Sequence, residues 1–186
     1  MRLFAAVLPP EAAVAELREA VAALPRAGRL RWTGEPGWHF TLAFMGEVED
    51  RLLPELDTRM ERAAHHTPAF RLRLRGCGHF GNRALWIGAA GSLDGVRMLA
   101  ERADAAARRA GVAMEQHRRY TPHLTIARGI QGEHTDLHPY LEALDGFEGT
   151  SWPVDHLHLV RSNLPTSGVP GEKPRYEVLR SWPLGG

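Results

Sequence analysis

The 186 residues of this chain suffice to bury one hydrophobic core, or two small lobes sharing an interface, without disulfides or an oligomeric partner. A formal net charge of +1 with histidine neutral, on 44% apolar residues, excludes the global basic field of proteins that coat nucleic acid. The single cysteine, Cys77, excludes an internal disulfide framework and a cysteine-rich zinc site, and no stretch reaches the roughly 18 apolar residues of a membrane span.

Within these bounds, any anionic ligand must be held by local charge. Of 23 basic residues only Lys173 is a lysine, a bias that suits phosphate recognition by guanidinium forks and that a GC-rich genome produces equally. Cys77, between Gly76 and Gly78, reads as a small buried hydrophobe. Met1 to Leu8 carries one charge and runs into Pro9-Pro10, too short for a signal-peptide core, so a cytoplasmic monomer with no obligate protein partner is expected.

Taken in chain order, Leu3 to Leu8 is an apolar run that predicts a buried strand stopped by Pro9-Pro10. Val14, Leu17, Val21 and Leu24 recur at helical spacing, closed by Pro25 and Gly28. Trp38 to Met45, after a Pro36-Gly37 turn, predicts a strand. Leu53, Leu56, Met60 and Ala63 mark a second helix. Phe70, Leu72 and Leu74 alternate with arginines in a further strand, and Leu85-Trp86-Ile87 is another. Ser92 stands where it caps a third helix with the stripe Val96, Leu99, Ala103, Ala106 and Ala110, ending at Gly111.

His123 to Arg128 then forms a strand entered through Pro122. Leu137, Leu141 and Leu144 suggest a short fourth helix. Val154 to Val160 and Tyr176 to Leu179 read as the last strands, separated by a glycine- and proline-rich loop from Asn163 to Pro174. Helices and strands mix without regular βα crossovers, so the predicted class is α+β with mainly antiparallel pairing, a single domain over residues 1–186.

One pattern stands out. His39-Phe40-Thr41-Leu42 and His123-Leu124-Thr125-Ile126 repeat the order histidine, apolar, threonine, apolar, once in each half. In an extended strand, alternate side chains share a face, so each copy sets an imidazole beside a hydroxyl and anchors both with apolar neighbours. Helix, motif strand, helix recurs around each copy. The simplest geometry packs two sheets around a cleft, with one motif strand on each wall and two lobes intertwined.

Two facing imidazoles suit attack on a phosphodiester, one as base towards the nucleophile and the other as acid towards the leaving oxygen. Thr41 and Thr125 would donate hydrogen bonds to the non-bridging phosphate oxygens. This scheme needs no metal and no cofactor.

Weaker candidates surround the pair. His65-His66-Thr67-Pro68 copies the spacing but lies at a predicted helix end and reads as surface. His156 and His158 share a strand face and make a poor metal site without a third ligand, although a metal-dependent hydrolase built on them is one alternative function. Arg118-Arg119-Tyr120 combines charge with a ring that either stacks on a base or packs on Pro122. Trp38 and Phe44 are expected in the core.

These residues resemble the 2H phosphoesterases, and within them the RNA 2′,3′-cyclic phosphodiesterases, also called 2′-5′ RNA ligases. The likeness spans nearly the whole chain. Arg2-Leu3-Phe4 is similar to the family's opening strand, and Trp38 through Gly46 to its first motif region. Gly76 through Phe80 with Arg83-Ala84-Leu85-Trp86 is similar to its middle section. Pro122 through Arg128 is similar to the second motif, and Leu159-Val160-Arg161-Ser162 with Tyr176-Glu177-Val178-Leu179 to its ending.

The resemblance implies a bilobed, pseudo-twofold fold with helices outside a central cleft. It implies opening of a terminal 2′,3′-cyclic phosphate on RNA, or of small cyclic nucleotides, to a 2′-phosphate. His39 would protonate the leaving 3′ oxygen, His123 would activate water, Thr41 and Thr125 would bind the phosphate, and Arg128 would contact phosphate or nucleotide. The reverse reaction would join RNA ends without ATP. The near-neutral charge points to recognition of a terminal nucleotide or a few. A module that binds nucleotides or RNA ends without turnover is the other alternative.

Overall fold

In the computed structural model, which describes residues 1–26, 28–116 and 119–185, the first apolar run is strand β1 (Arg2–Val7). It is buried on both faces. Leu3, Ala5 and Val7 belong to the main core, whereas Phe4 and Ala6 join a smaller cluster with Val160 on the opposite face. A strand so placed must lie inside a sheet, and β1 pairs antiparallel with β3 (Phe40–Glu47) on one side and β8 (His156–Asn163) on the other. With β9 (Arg175–Pro183) these form a four-stranded sheet of order β3-β1-β8-β9.

The second sheet has five strands in the order β2-β6-β5-β4-β7: β2 (Arg31–Trp32), β4 (Phe70–Phe80), β5 (Ala84–Gly91), β6 (Leu124–Arg128) and β7 (Trp152–Val154). The pairings between these strands are antiparallel, as the α+β expectation requires. Each sheet draws on both halves of the chain, because β8 returns to β1 in the first and β6 to β2 in the second.

The helices follow their apolar stripes. In α1 (Glu11–Ala22), α2 (Leu53–His65), α3 (Leu93–Arg109) and α4 (His138–Leu144) the buried residues include Leu17, Leu56 and Met60, Leu99 and Ala103, and Tyr140 and Leu144. They join Leu72, Ile87, Leu124 and Ile126 of the second sheet and Leu3, Phe40 and Leu42 of the first in one continuous core. Among the described residues no helix is long and apolar enough to cross a membrane.

Several boundaries depart from the sequence reading. Val154 to Val160 is not one strand: β7 and β8 flank Asp155 and lie in different sheets, and the change falls where Asp155-His156 breaks the apolar-polar alternation. β4 runs past the alternating arginines to Phe80 because Gly76, at a φ of +65°, sits at a register shift between Leu74 and Cys77. β2 was not predicted, since two residues carry no period. Ser92 occupies the N-cap position of α3, but its side chain makes no capping bond. Thr67, expected at the surface, is buried, and its hydroxyl donates to the Ala63 carbonyl at 2.8 Å.

Candidate active site

The two motifs enter their strands in the same way. β3 begins at Phe40 and β6 at Leu124, so each histidine lies just before its strand while Thr41 and Thr125 lie within it. Phe40, Leu42, Leu124 and Ile126 are all buried, which turns the intervening His and Thr towards the other face. That face is one cleft of about 380 Å³ whose walls include His39, Thr41, His123, Thr125 and Arg128.

Both rings are oriented by the chain just upstream. His123 Nδ1 lies 2.9 Å from the Thr121 carbonyl oxygen, and the His39 ring bonds the Gly37 backbone, also two residues back. A carbonyl only accepts, so Nδ1 of His123 carries the proton and Nε2 is left for chemistry. Among the described residues neither Thr41 nor Thr125 spends its hydroxyl on an internal hydrogen bond.

Aromatic side chains back each imidazole. His39 stacks on Phe4 of β1 with centroids 4.6 Å apart and meets Tyr176 of β9 edge-on at 5.3 Å. His123 meets Phe80 edge-on at 4.9 Å and lies 6.0 Å from Trp86. The Trp86 indole lies over Gly78, where an added Cβ would overlap the ring. Gly78→Ala is therefore expected to push Trp86 away from His123. It should cost about 1–3 kcal/mol of stability, as overpacking does, together with activity. Chemical denaturation and tryptophan fluorescence of the variant check both.

The cleft is electropositive although the protein as a whole is near neutral. Arg2 and Arg128 line it and no carboxylate does. Arg2 is also held over the Phe44 ring, 4.8 Å from its centroid. Burial pushes the His39 imidazole down to about 4; its hydrogen bond to Gly37 opposes the shift, and nearby Arg128 and His123 add to it. His39 is thus neutral in the ligand-free cleft at pH 7.

Comparison with known proteins gives the same picture. The profile of the 2'-5' RNA ligase superfamily matches residues 6–165. The chain belongs to this superfamily. It is 35% identical to a Thermus thermophilus protein named RNA 2',3'-cyclic phosphodiesterase, over all of this chain and 91% of the relative. The crystal structure of TT0787 from Thermus thermophilus matches with a TM-score of 0.77 and 29% identity, covering 100% of this chain and 99% of that one. Escherichia coli LigT complexed with 3'-AMP matches with a TM-score of 0.76 and 26% identity, covering 100% and 98%. The α+β frame of two antiparallel sheets expected of a 2H phosphoesterase is the frame these solved structures share with this chain.

The remaining sequence candidates lie elsewhere. Tyr120 is not a cleft residue: it packs against the core and borders a separate cavity with Leu42, Ala100 and Met114. Its hydroxyl is buried without a partner among the described residues, and burial raises its pKa. Of the two uses expected of the ring, stacking on a base or packing, the structure shows packing. Arg118 lies outside the described residues, and Arg119 is exposed.

His156 and His158 stack on each other with centroids 6.0 Å apart, and their Nδ1 atoms face Asp155 and Ser181. Burial lowers the His158 pKa, helped by His156 and opposed by Asp155. Among the described residues no group of three or more His, Cys, Asp or Glu is placed to hold a metal. Cys77 is half-buried, and burial raises its thiol pKa. Trp38 is in the core as expected, whereas Phe44 is exposed and lines the cleft.

The sequence reading missed Phe4, Tyr176, Phe80 and Trp86 as supports of the imidazoles. One signal for Phe4 was available. In β1 it is the aromatic out of phase with Leu3, Ala5 and Val7, and so faces away from the main core.

Proposed function

We propose that this protein opens terminal 2′,3′-cyclic phosphates on RNA to 2′-phosphates by general acid and base catalysis from His39 and His123. The observation that carries this reading is the duplicated unit in one carboxylate-free cleft: an imidazole oriented by its own upstream carbonyl, with an uncommitted threonine hydroxyl two residues on. The relatives named for this activity support the same substrate class.

In this scheme the phosphate lies between the two motif strands, and Thr41 and Thr125 donate to its non-bridging oxygens. Arg128 adds a fixed positive charge. His123 Nε2 takes a proton from water as the water oxygen bonds to phosphorus. The bond from phosphorus to the 3′ oxygen breaks, and His39 protonates that oxygen. A 2′-phosphomonoester and a free 3′-hydroxyl result. With a 5′-hydroxyl in place of water the same steps form a 2′-5′ phosphodiester and free the 3′ oxygen, but the abundance of water favours hydrolysis.

Because His39 is neutral when the cleft is empty, its role as acid depends on the bound phosphate. An anion beside the ring offsets Arg128 and favours the imidazolium. Incubating the protein in EDTA with an oligonucleotide ending in a 2′,3′-cyclic phosphate is expected to yield the 2′-phosphate. A 3′-phosphate product would assign the other oxygen as leaving group. Tight binding with no turnover would instead identify a non-catalytic RNA-end binder.

A further inference from the structure

The cleft does not end at the two histidines. A second cavity of about 690 Å³ opens beside it, and the two share Arg128 and Tyr176 as a common wall. The short strand β2 builds the far side: pairing of Arg31 with Arg128 and of Trp32 with Ala127 sets a guanidinium and an indole next to the second motif strand. The loop leading into β9 adds Lys173, and the first residue of β9 adds Arg175.

Charge is segregated here. The chain carries 23 basic and 22 acidic residues, yet this cavity is lined by four cations and no carboxylate. Among the described residues none of the four forms an ion pair, whereas Glu35 is engaged by Arg18, Glu133 by Arg29, and Glu172 accepts from the Ser167 hydroxyl. A further cavity shares Lys173 and Arg175 with this one, but there they and Arg2 and Arg161 are mixed with Glu47, Asp50 and Glu172, a poorer surface for a polyanion. Trp32 is half-buried, and its ring is held edge-on by Tyr140 at 5.6 Å.

An aromatic ring beside clustered guanidinium groups matches one nucleotide, with the ring for its base and the cations for its phosphate. We infer that this cavity binds the nucleotide preceding the cyclic-phosphate terminus, with its base on Trp32 and the linking phosphate among Arg31, Arg128 and Arg175. The inference rests on the proposed RNA-end activity and narrows it: the preferred substrate is an oligonucleotide of at least two residues. Stacking and charge read no base edge, so the preference is independent of sequence.

Calorimetry of a dinucleotide 2′-phosphate against a nucleoside 2′-phosphate tests this without requiring turnover. The dinucleotide is expected to bind at least about tenfold tighter. Its log affinity should also fall more steeply with log salt, by about 0.7 for one further phosphate contact. Trp32→Ala and the exposed pair Arg31→Ala with Arg175→Ala should each bring the affinity ratio towards one; the arginine pair keeps the test valid if loss of Trp32 disturbs its packing on Tyr140. Equal affinities in the unaltered protein, or a ratio that survives both variants, would overturn the subsite. A preserved ratio without hydrolysis of any cyclic phosphate would overturn the diesterase reading and leave the subsite standing.

Discussion

Replacing His39 or His123 by alanine is expected to lower kcat on an RNA ending in a 2′,3′-cyclic phosphate by ~10²- to 10⁴-fold each, the usual contribution of a positioned acid or base. The double variant should lose much less than the product of the two, because the two histidines act on one proton transfer sequence. Each ring also fills a place against aromatic walls, Phe4 and Tyr176 for His39, Phe80 and Trp86 for His123. His39→Gln and His123→Gln, which retain bulk and hydrogen bonding, separate lost chemistry from lost packing. Unaltered kcat in both alanine variants, with unaltered thermal unfolding, would end the two-histidine scheme.

The His39 ring is expected to titrate near pH 4 in the free protein and to move upward, by a unit or more, when a nucleoside 2′-phosphate fills the cleft. Proton NMR of the ring as a function of pH measures both values. A ring that stays near 4 in the complex would exchange the two roles, leaving His39 as the base.

The same shift has a consequence for stability. The unfolded chain protonates this histidine near 6.5 and the folded protein only near 4, so between these values the unfolded state binds more protons. Stability contributed by neutral His39 is full above pH 6.5. It falls as the pH is lowered through this window, by at most about 3 kcal/mol. Denaturation of His39→Gln should show a shallower loss over the same range.

Both predictions depend on features of different origin. The pairing of His39 with Thr41 and of His123 with Thr125 is local, set by two-residue alternation and the buried partners Phe40, Leu42, Leu124 and Ile126, and was legible in the chain. Most helices and strands were legible for the same reason: their apolar periods are long enough to count. β2 was not, because two residues have no period, and in Val154 to Val160 the change of sheet is marked only by the single phase break at Asp155-His156. Tyr120, open between stacking on a base and packing, is drawn into the core, and Phe44, expected there, is left on the cleft wall, since an aromatic ring alone does not say which side faces solvent.

The sequence by itself determined the paired motifs, the residue types that carry the chemistry, the α+β class and the family. Only the tertiary structure decided that one cleft holds both pairs, that Phe4 and Tyr176 from strands far apart in the chain enclose His39 and hold it neutral, and that β2 sets Arg31 and Trp32 beside Arg128. The physical reason is that alternation is a property of neighbours along one strand. Burial and electrostatic field at a side chain are sums over residues that only pairing and packing bring near.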